Sequence, residues 1–213
     1  MPLILEENSH KFVFIGVWHC TESLGELEAE YSLPESDLLE IKNTALHKRK
    51  IEKFITRNLS KYLLEKHFSK QYYGLERQIT GKPSFINHDT ELSVSHCENY
   101  LTVLITNKKK AGIDLQNINE KIQKVAHRIF SDEELIEINK KSDLLARAWS
   151  AKEAMFKYYE KGKINFKQHL VLKNISNLDT FHGILCSQNT EETIQLYVLQ
   201  ISKSYQLVYC FEK

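Results

Sequence analysis

The sequence has little of anything that would mark an unusual class of chain. Seven glycines and three prolines in 213 residues are too few for a fibrous or Pro/Gly-rich disordered protein. With 42% hydrophobic and 27% charged residues the composition is that of an ordinary folded protein. Four cysteines (Cys20, Cys97, Cys186, Cys210) lie far apart without a C-x-x-C pair. That spacing argues against a zinc knuckle or a disulfide framework and fits a reducing cytosol. Neither sign of charge is in excess: 29 Lys+Arg against 28 Asp+Glu leave a net +1. A general nucleic-acid binder held by a broad basic field is thereby disfavoured, and any anion must be bound locally. Long apolar runs are missing as well. Residues 12–18 are far too few to span a bilayer, and the early acids Glu6 and Glu7 stand where a signal peptide would be basic. The expectation is a soluble cytoplasmic protein with no membrane or nucleic-acid partner. No internal repeat or low-complexity tract is present.

The length suits one large domain or two small ones. Residues 12–20 (FVFIGVWHC) are β-branched and aromatic and predict a buried strand. From Pro34 to about His67 the apolar spacing is helical, with a break near Lys48; Leu38, Ile41, Ala45, Ile51, Phe54, Ile55, Leu59 and Leu63 supply the core face. Residues 73–89 carry the turn signals Gly74, Gly81 and Pro83 and read as a loop with short extended pieces. Strands are expected at 92–95, 101–106 and 111–115, helices from Asn119 to about Lys161, and strands again at 169–173, 181–186, 193–201 and 206–211. The order strand, helix, strands thus occurs twice. A seam near residues 106–110 divides the chain into an N-terminal half, 1–107, and a C-terminal half, 108–213.

Two of these stretches carry more than packing requires. In AGIDLQ, strand alternation puts Asp114 and Gln116 on the face opposite Ile113 and Leu115. Two oxygen ligands then project from a stiff support, as a hard cation such as Mg²⁺ requires; taken alone, the pattern favours a wetted outer face. In LARAWSAKEAMFKYY, helical spacing gathers Leu145, Ala148, Trp149, Met155, Phe156 and Tyr159 into an apolar arc with Lys152 near its centre. Glu153 stands at the arc's edge with Lys157 one turn beyond. Without other context Glu153 and Lys157 are a surface i,i+4 pair worth about 0.2–0.5 kcal/mol. Lys152 reads as a snorkelling stem, and Met155 and Phe156 as core. Ser95-His96 closes a short strand, and TGKP places Lys82 on a rigid turn.

The succession TGKPSF, LSVSHC, AGIDLQ, RIFSDEE, WSAKEAMFK resembles the 4′-phosphopantetheinyl transferase superfamily, in its larger, surfactin-synthetase type. It covers roughly residues 45 to 160. Trp149, Lys152, Glu153 and Lys157 carry its most specific piece, W-x-x-K-E-x-x-x-K. The resemblance implies an α+β fold of two similar halves packed as a pseudo-dimer, with the active site in the cleft between them. It implies a magnesium enzyme, a holo-carrier-protein synthase that moves phosphopantetheine from coenzyme A onto a serine of an acyl or peptidyl carrier protein; a chain holding both halves of the cleft has no need to assemble, so a monomer is expected. Asp114 and Glu153 would bind the metal, Glu153 would also deprotonate the serine, and Lys157 would neutralise the pyrophosphate. Lys82, Ser95, His96 and Arg57 would contact coenzyme A, with Lys48 and Arg49 in the matching basic cluster. The family commonly has an acid two residues after the aspartate. Here Gln116 stands in that place, so a neutral oxygen or a bridging water would complete the metal's shell. A carrier-protein or nucleotide-binding module of the same fold, catalytically weakened through Gln116, and an unrelated metal-dependent phosphohydrolase are the competing readings.

Overall fold

Alternation and β-branching, helical spacing and two capping boxes account for most of the elements seen in the computed structural model, which describes residues 2–118, 120–187 and 190–213. The expected helix start at Asn119 lies outside the described residues. The chain is α+β and divides into two compact units, Met1–Lys109 and Lys110–Lys213.

The first unit runs β1 (Leu3–His10), β2 (Val13–His19), α1 (Leu24–Glu30), α2 (Glu35–Lys42), α3 (His47–Phe68), β3 (Leu75–Arg77), β4 (Pro83–Phe85), β5 (Glu91–Cys97) and β6 (Tyr100–Thr106). Four strands form an antiparallel sheet in the order β1-β2-β6-β5, and β3 with β4 makes a separate hairpin. Phe54, Ile55, Leu59, Leu63 and Leu64 of α3 join Trp18, Leu92, Leu101, Val103 and Ile105 of the sheet in one core. Gly16 permits the close approach, because a Cβ there would sit 2.7 Å from Leu59 Cδ1. The long helical stretch is interrupted after Lys42 and resumes at His47, a few residues before the break expected near Lys48.

Strand β1 and helix α1 have no counterpart in the sequence reading. Strand β1 lies at the sheet edge with a mostly polar sequence, EENSH at its end, so it lacks the apolar alternation of a half-buried strand. Helix α1 is only seven residues long, but its capping box, Ser23 with Glu26, is legible as S-x-x-E.

The second unit runs β7 (Ala111–Asn117), a 3-10 turn at Glu120–Lys124, α4 (Ala126–Ile129), α5 (Asp132–Ile138), α6 (Ser142–Tyr159), α7 (Phe166–His169), β8 (Leu170–Lys173), β9 (Thr180–Ser187), β10 (Thr190–Ser202) and β11 (Tyr205–Phe211). The strands form one antiparallel sheet in the order β7-β11-β10-β9-β8. Leu145, Ala148, Ala151, Ala154, Met155 and Tyr158 of α6 share a core with Leu172, Phe181, Leu196, Val208 and Cys210 of the sheet.

The buried face of α6 is rotated from the expected arc. Lys152 is fully buried, whereas Trp149 and Tyr159 are half-buried and Phe156 is exposed. Small residues explain the rotation: Ala148, Ala151 and Ala154 let the helix lie close to the sheet. At Gly112 in β7 a Cβ would stand 1.9 Å from the Ala154 carbonyl oxygen. No helix among the described residues is long and apolar enough to cross a membrane.

Candidate active site

The contact between β7 and α6 brings three of the expected residues together. Asp114 is 4% exposed, so the wetted-face reading of AGIDLQ does not hold. Each of its carboxylate oxygens accepts a hydrogen bond: Oδ1 from Lys157 Nζ at 2.8 Å, and Oδ2 from Gln116 Nε2 at 2.8 Å. Lys157 Nζ also donates to the Ile113 carbonyl at 2.8 Å. Ser150 Oγ donates to the Asp114 carbonyl at 2.7 Å, tying the strand backbone to the helix. Lys157 therefore pairs with Asp114 across the two elements, in place of the simple i,i+4 partnership with Glu153.

Glu153 is half-buried one turn before Lys157. Burial pushes its carboxyl up from the ordinary value, the Asp114 charge pushes it further, and Lys157 pulls the other way. A half-buried carboxyl whose proton affinity is raised by burial and by the charge of a second carboxylate is suited to take a proton or a cation.

Among the described residues no three His, Cys, Asp or Glu side chains stand together as a metal cage. Asp114, Glu153 and the amide oxygen of Gln116 nevertheless offer two carboxylates and one neutral oxygen, all hard donors. This set fits a Mg²⁺ ion that keeps several waters and takes substrate phosphate oxygens. In this structure Gln116 faces Asp114 through its nitrogen.

Lys152 is not a snorkelling stem. Its ammonium is buried against Glu134 at 2.8 Å, both side chains being almost wholly inaccessible. Burial pulls the Lys152 ammonium down from its ordinary value, and Glu134 opposes that shift.

In the first unit a pocket of about 420 Å³ is lined by Arg49, Lys53, Arg57, Arg77 and His96, with Glu52 among them. His96 Nε2 lies 2.9 Å from an Arg49 nitrogen, and Arg49 pairs with Glu52 at 2.9 Å. Lys48 stands 4.0 Å from Glu52 and mostly in solvent. Ser95 is buried in β5, and Lys82 is ion-paired with Glu91; neither lines this pocket.

Arg57 has an additional, structural partner set. Its Nε donates to Asp37 Oδ1 at 2.8 Å, another nitrogen pairs with Glu40, and a third donates to the Lys53 carbonyl at 3.3 Å. Asp37, 1% exposed, also accepts from Tyr72 Oη at 2.7 Å and the Leu75 amide at 3.2 Å. Sequence reasoning missed Lys53 and Arg77. The i,i+4 succession Arg49, Lys53, Arg57 along one face of α3 could have found the first. Nothing local to β3 marks the second.

Comparison with known proteins returns the same superfamily as the motif succession. Residues 110–210 match the model of the 4′-phosphopantetheinyl transferase superfamily. The chain is 26% identical over 136 residues to 4′-phosphopantetheinyl transferase gsp of Aneurinibacillus migulanus, a match covering 61% of this chain and 54% of that protein. It is 42% identical over 71 residues to the holo-[acyl-carrier-protein] synthase of Mycoplasma mobile, covering 29% of this chain and 66% of that protein. The matches thus span between about half and two thirds of the length of these relatives.

Proposed function

We propose that this chain transfers the 4′-phosphopantetheine arm of coenzyme A to a serine hydroxyl of an apo acyl or peptidyl carrier protein, in the cytoplasm and as a monomer. The single observation that carries the reading is the ion pair of Asp114 with Lys157 at 2.8 Å, with Glu153 one turn before Lys157 on the same helix, inside the stretch that carries the family resemblance.

Asp114 and Glu153 would hold Mg²⁺, with Gln116 completing the set through its oxygen or through water. When bound, the ion supplies positive charge to the pyrophosphate oxygens. The serine oxygen attacks the phosphorus that carries the pantetheine arm. A serine O–P bond forms, the bond from that phosphorus to the bridging oxygen of the pyrophosphate breaks, and adenosine 3′,5′-bisphosphate leaves with the electron pair. Glu153 accepts the serine proton, a role that its raised proton affinity suits. Lys157, 2.8 Å from Asp114, neutralises charge as it moves onto the leaving group. Such a transfer needs in-line positioning and charge neutralisation more than covalent help. The basic pocket of Arg49, Arg57 and His96, with Lys48, Lys82 and Ser95 nearby in sequence or structure, would receive the phosphates and nucleoside of coenzyme A.

The test is incubation of the protein with coenzyme A, Mg²⁺ and an apo carrier protein, read by intact mass. A carrier heavier by one phosphopantetheinyl group is expected. An unmodified carrier with coenzyme A still bound would point instead to a weakened binding module. Phosphate released without any carrier would point to a phosphohydrolase.

A further inference from the structure

Lys152, next in sequence to Glu153, takes no part in this chemistry, yet every hydrogen of its buried ammonium has a partner. Its ammonium has three hydrogens and three oxygen partners: Glu134 Oε2 at 2.8 Å, the Ile129 carbonyl at 3.0 Å and the Phe166 carbonyl at 2.9 Å. The Phe130 ring covers it at 5.2 Å. Glu134 in turn accepts from the Ser131 amide at 2.7 Å and the Leu172 amide at 2.8 Å. One ion pair therefore ties α6 to the end of α4, the start of α5, the start of α7 and strand β8.

Stability does not explain such a pair. Desolvating two charges offsets most of their attraction, and a well-packed apolar pair of similar volume is often as stable or more so. What an apolar pair lacks is direction. Three hydrogen bonds in fixed directions hold α6 at one rotation about its axis, and the neighbouring Glu153 is carried on that rotation. A side chain whose end lies about 5–6 Å from the axis moves by ~1 Å for a turn of ~10°. A misplacement of ~1 Å at a reacting group can cost about 10²-fold in rate.

We infer that Lys152, through Glu134, is a positioning residue that sets the rotation of α6 and so presents Glu153 to Asp114 for metal binding and proton transfer. The inference rests on the transferase reading above. Its test uses the full chain and Mg²⁺ titrated by calorimetry with coenzyme A present, alongside denaturant unfolding. Lys152→Met leaves the Glu134 carboxylate buried and unpaired, so it loses stability for that reason alone. The double variant Lys152→Met/Glu134→Gln carries no buried charge and recovers most of that loss. Its Mg²⁺ affinity is expected to stay lowered by about 10–100-fold, the range usual for lost support of metal ligands, and its kcat to fall while KM for the carrier holds. Glu134→Gln alone, which keeps an acceptor oxygen, is expected to fold and to show a smaller loss of the same kind. A double variant that recovers Mg²⁺ affinity together with stability overturns the inference. A parent protein that binds no Mg²⁺ beside coenzyme A overturns the transferase reading itself, and the inference with it.

Discussion

Glu153 is the residue at which function and stability pull in opposite directions. Its folded-state carboxyl is raised from the ordinary value by burial and by Asp114. Above the pH at which a free glutamate ionises, the unfolded chain gives up this proton more readily than the folded one, so the group costs stability there. Below that pH both states hold the proton and the cost disappears. Glu153→Gln is therefore expected to abolish transfer while raising the thermal midpoint of the metal-free protein at neutral pH. The gain should vanish on acidification to below the ordinary glutamate range, as melting curves against pH would show. A variant less stable than the parent at neutral pH contradicts the assignment of repulsion. Gln116 carries a second residue-scale prediction. The side chain already faces Asp114 at 2.8 Å, and Gln116→Glu adds a negative charge at that position. Metal titration of the coenzyme-free protein should show tighter binding in this variant, with transfer retained. Unchanged affinity would mean that the side chain does not serve the ion.

Between elements, the close approach of β7 to α6 is what makes the site. A methyl group at residue 112 would meet the Ala154 carbonyl oxygen at 1.9 Å, so strand or helix must move. Gly112→Ala is expected to destabilise the fold by about 1–3 kcal/mol, the usual cost of overpacking, and to lower activity beyond that by separating Asp114 from Lys157. Near-parental stability and turnover would contradict the packing argument. In the first unit Arg57 and His96 should part company. His96→Ala removes a half-exposed ring and is expected to raise KM for coenzyme A with stability unchanged, since ground-state contacts affect both states alike. Arg57→Ala is expected to raise KM as well, and also to cost about 3–5 kcal/mol, because it leaves Asp37 buried without its cation. Equal denaturation midpoints for the two variants would count against the buried Arg57–Asp37 pair. Strands and helices with strong apolar periods were legible in the sequence within a few residues, as at 111–115 and 206–211. Strand β1 was not, because an edge strand with three apolar residues followed by EENSH has no alternation to read. At the site, Asp114, Glu153 and Lys157 were legible as a pattern, but the partner of Lys152 was not. Lys152 reaches Glu134 eighteen positions away, a separation that no local spacing encodes.

For the whole molecule, near-neutral charge means that an anionic ligand would have to be met by a local cluster of cations. The proposed transfer has a stoichiometry of one bisphosphate for each carrier modified. The most direct measurement follows adenosine 3′,5′-bisphosphate and holo-carrier in the same tube, with coenzyme A and apo carrier protein in excess, as Mg²⁺ is raised from zero. The two products are expected to rise together, one for one and only with the metal, in the parent protein, and neither is expected to form with Asp114→Ala or Glu153→Gln. Bisphosphate formed without modified carrier, or parental rates in either variant, would contradict the proposed transfer.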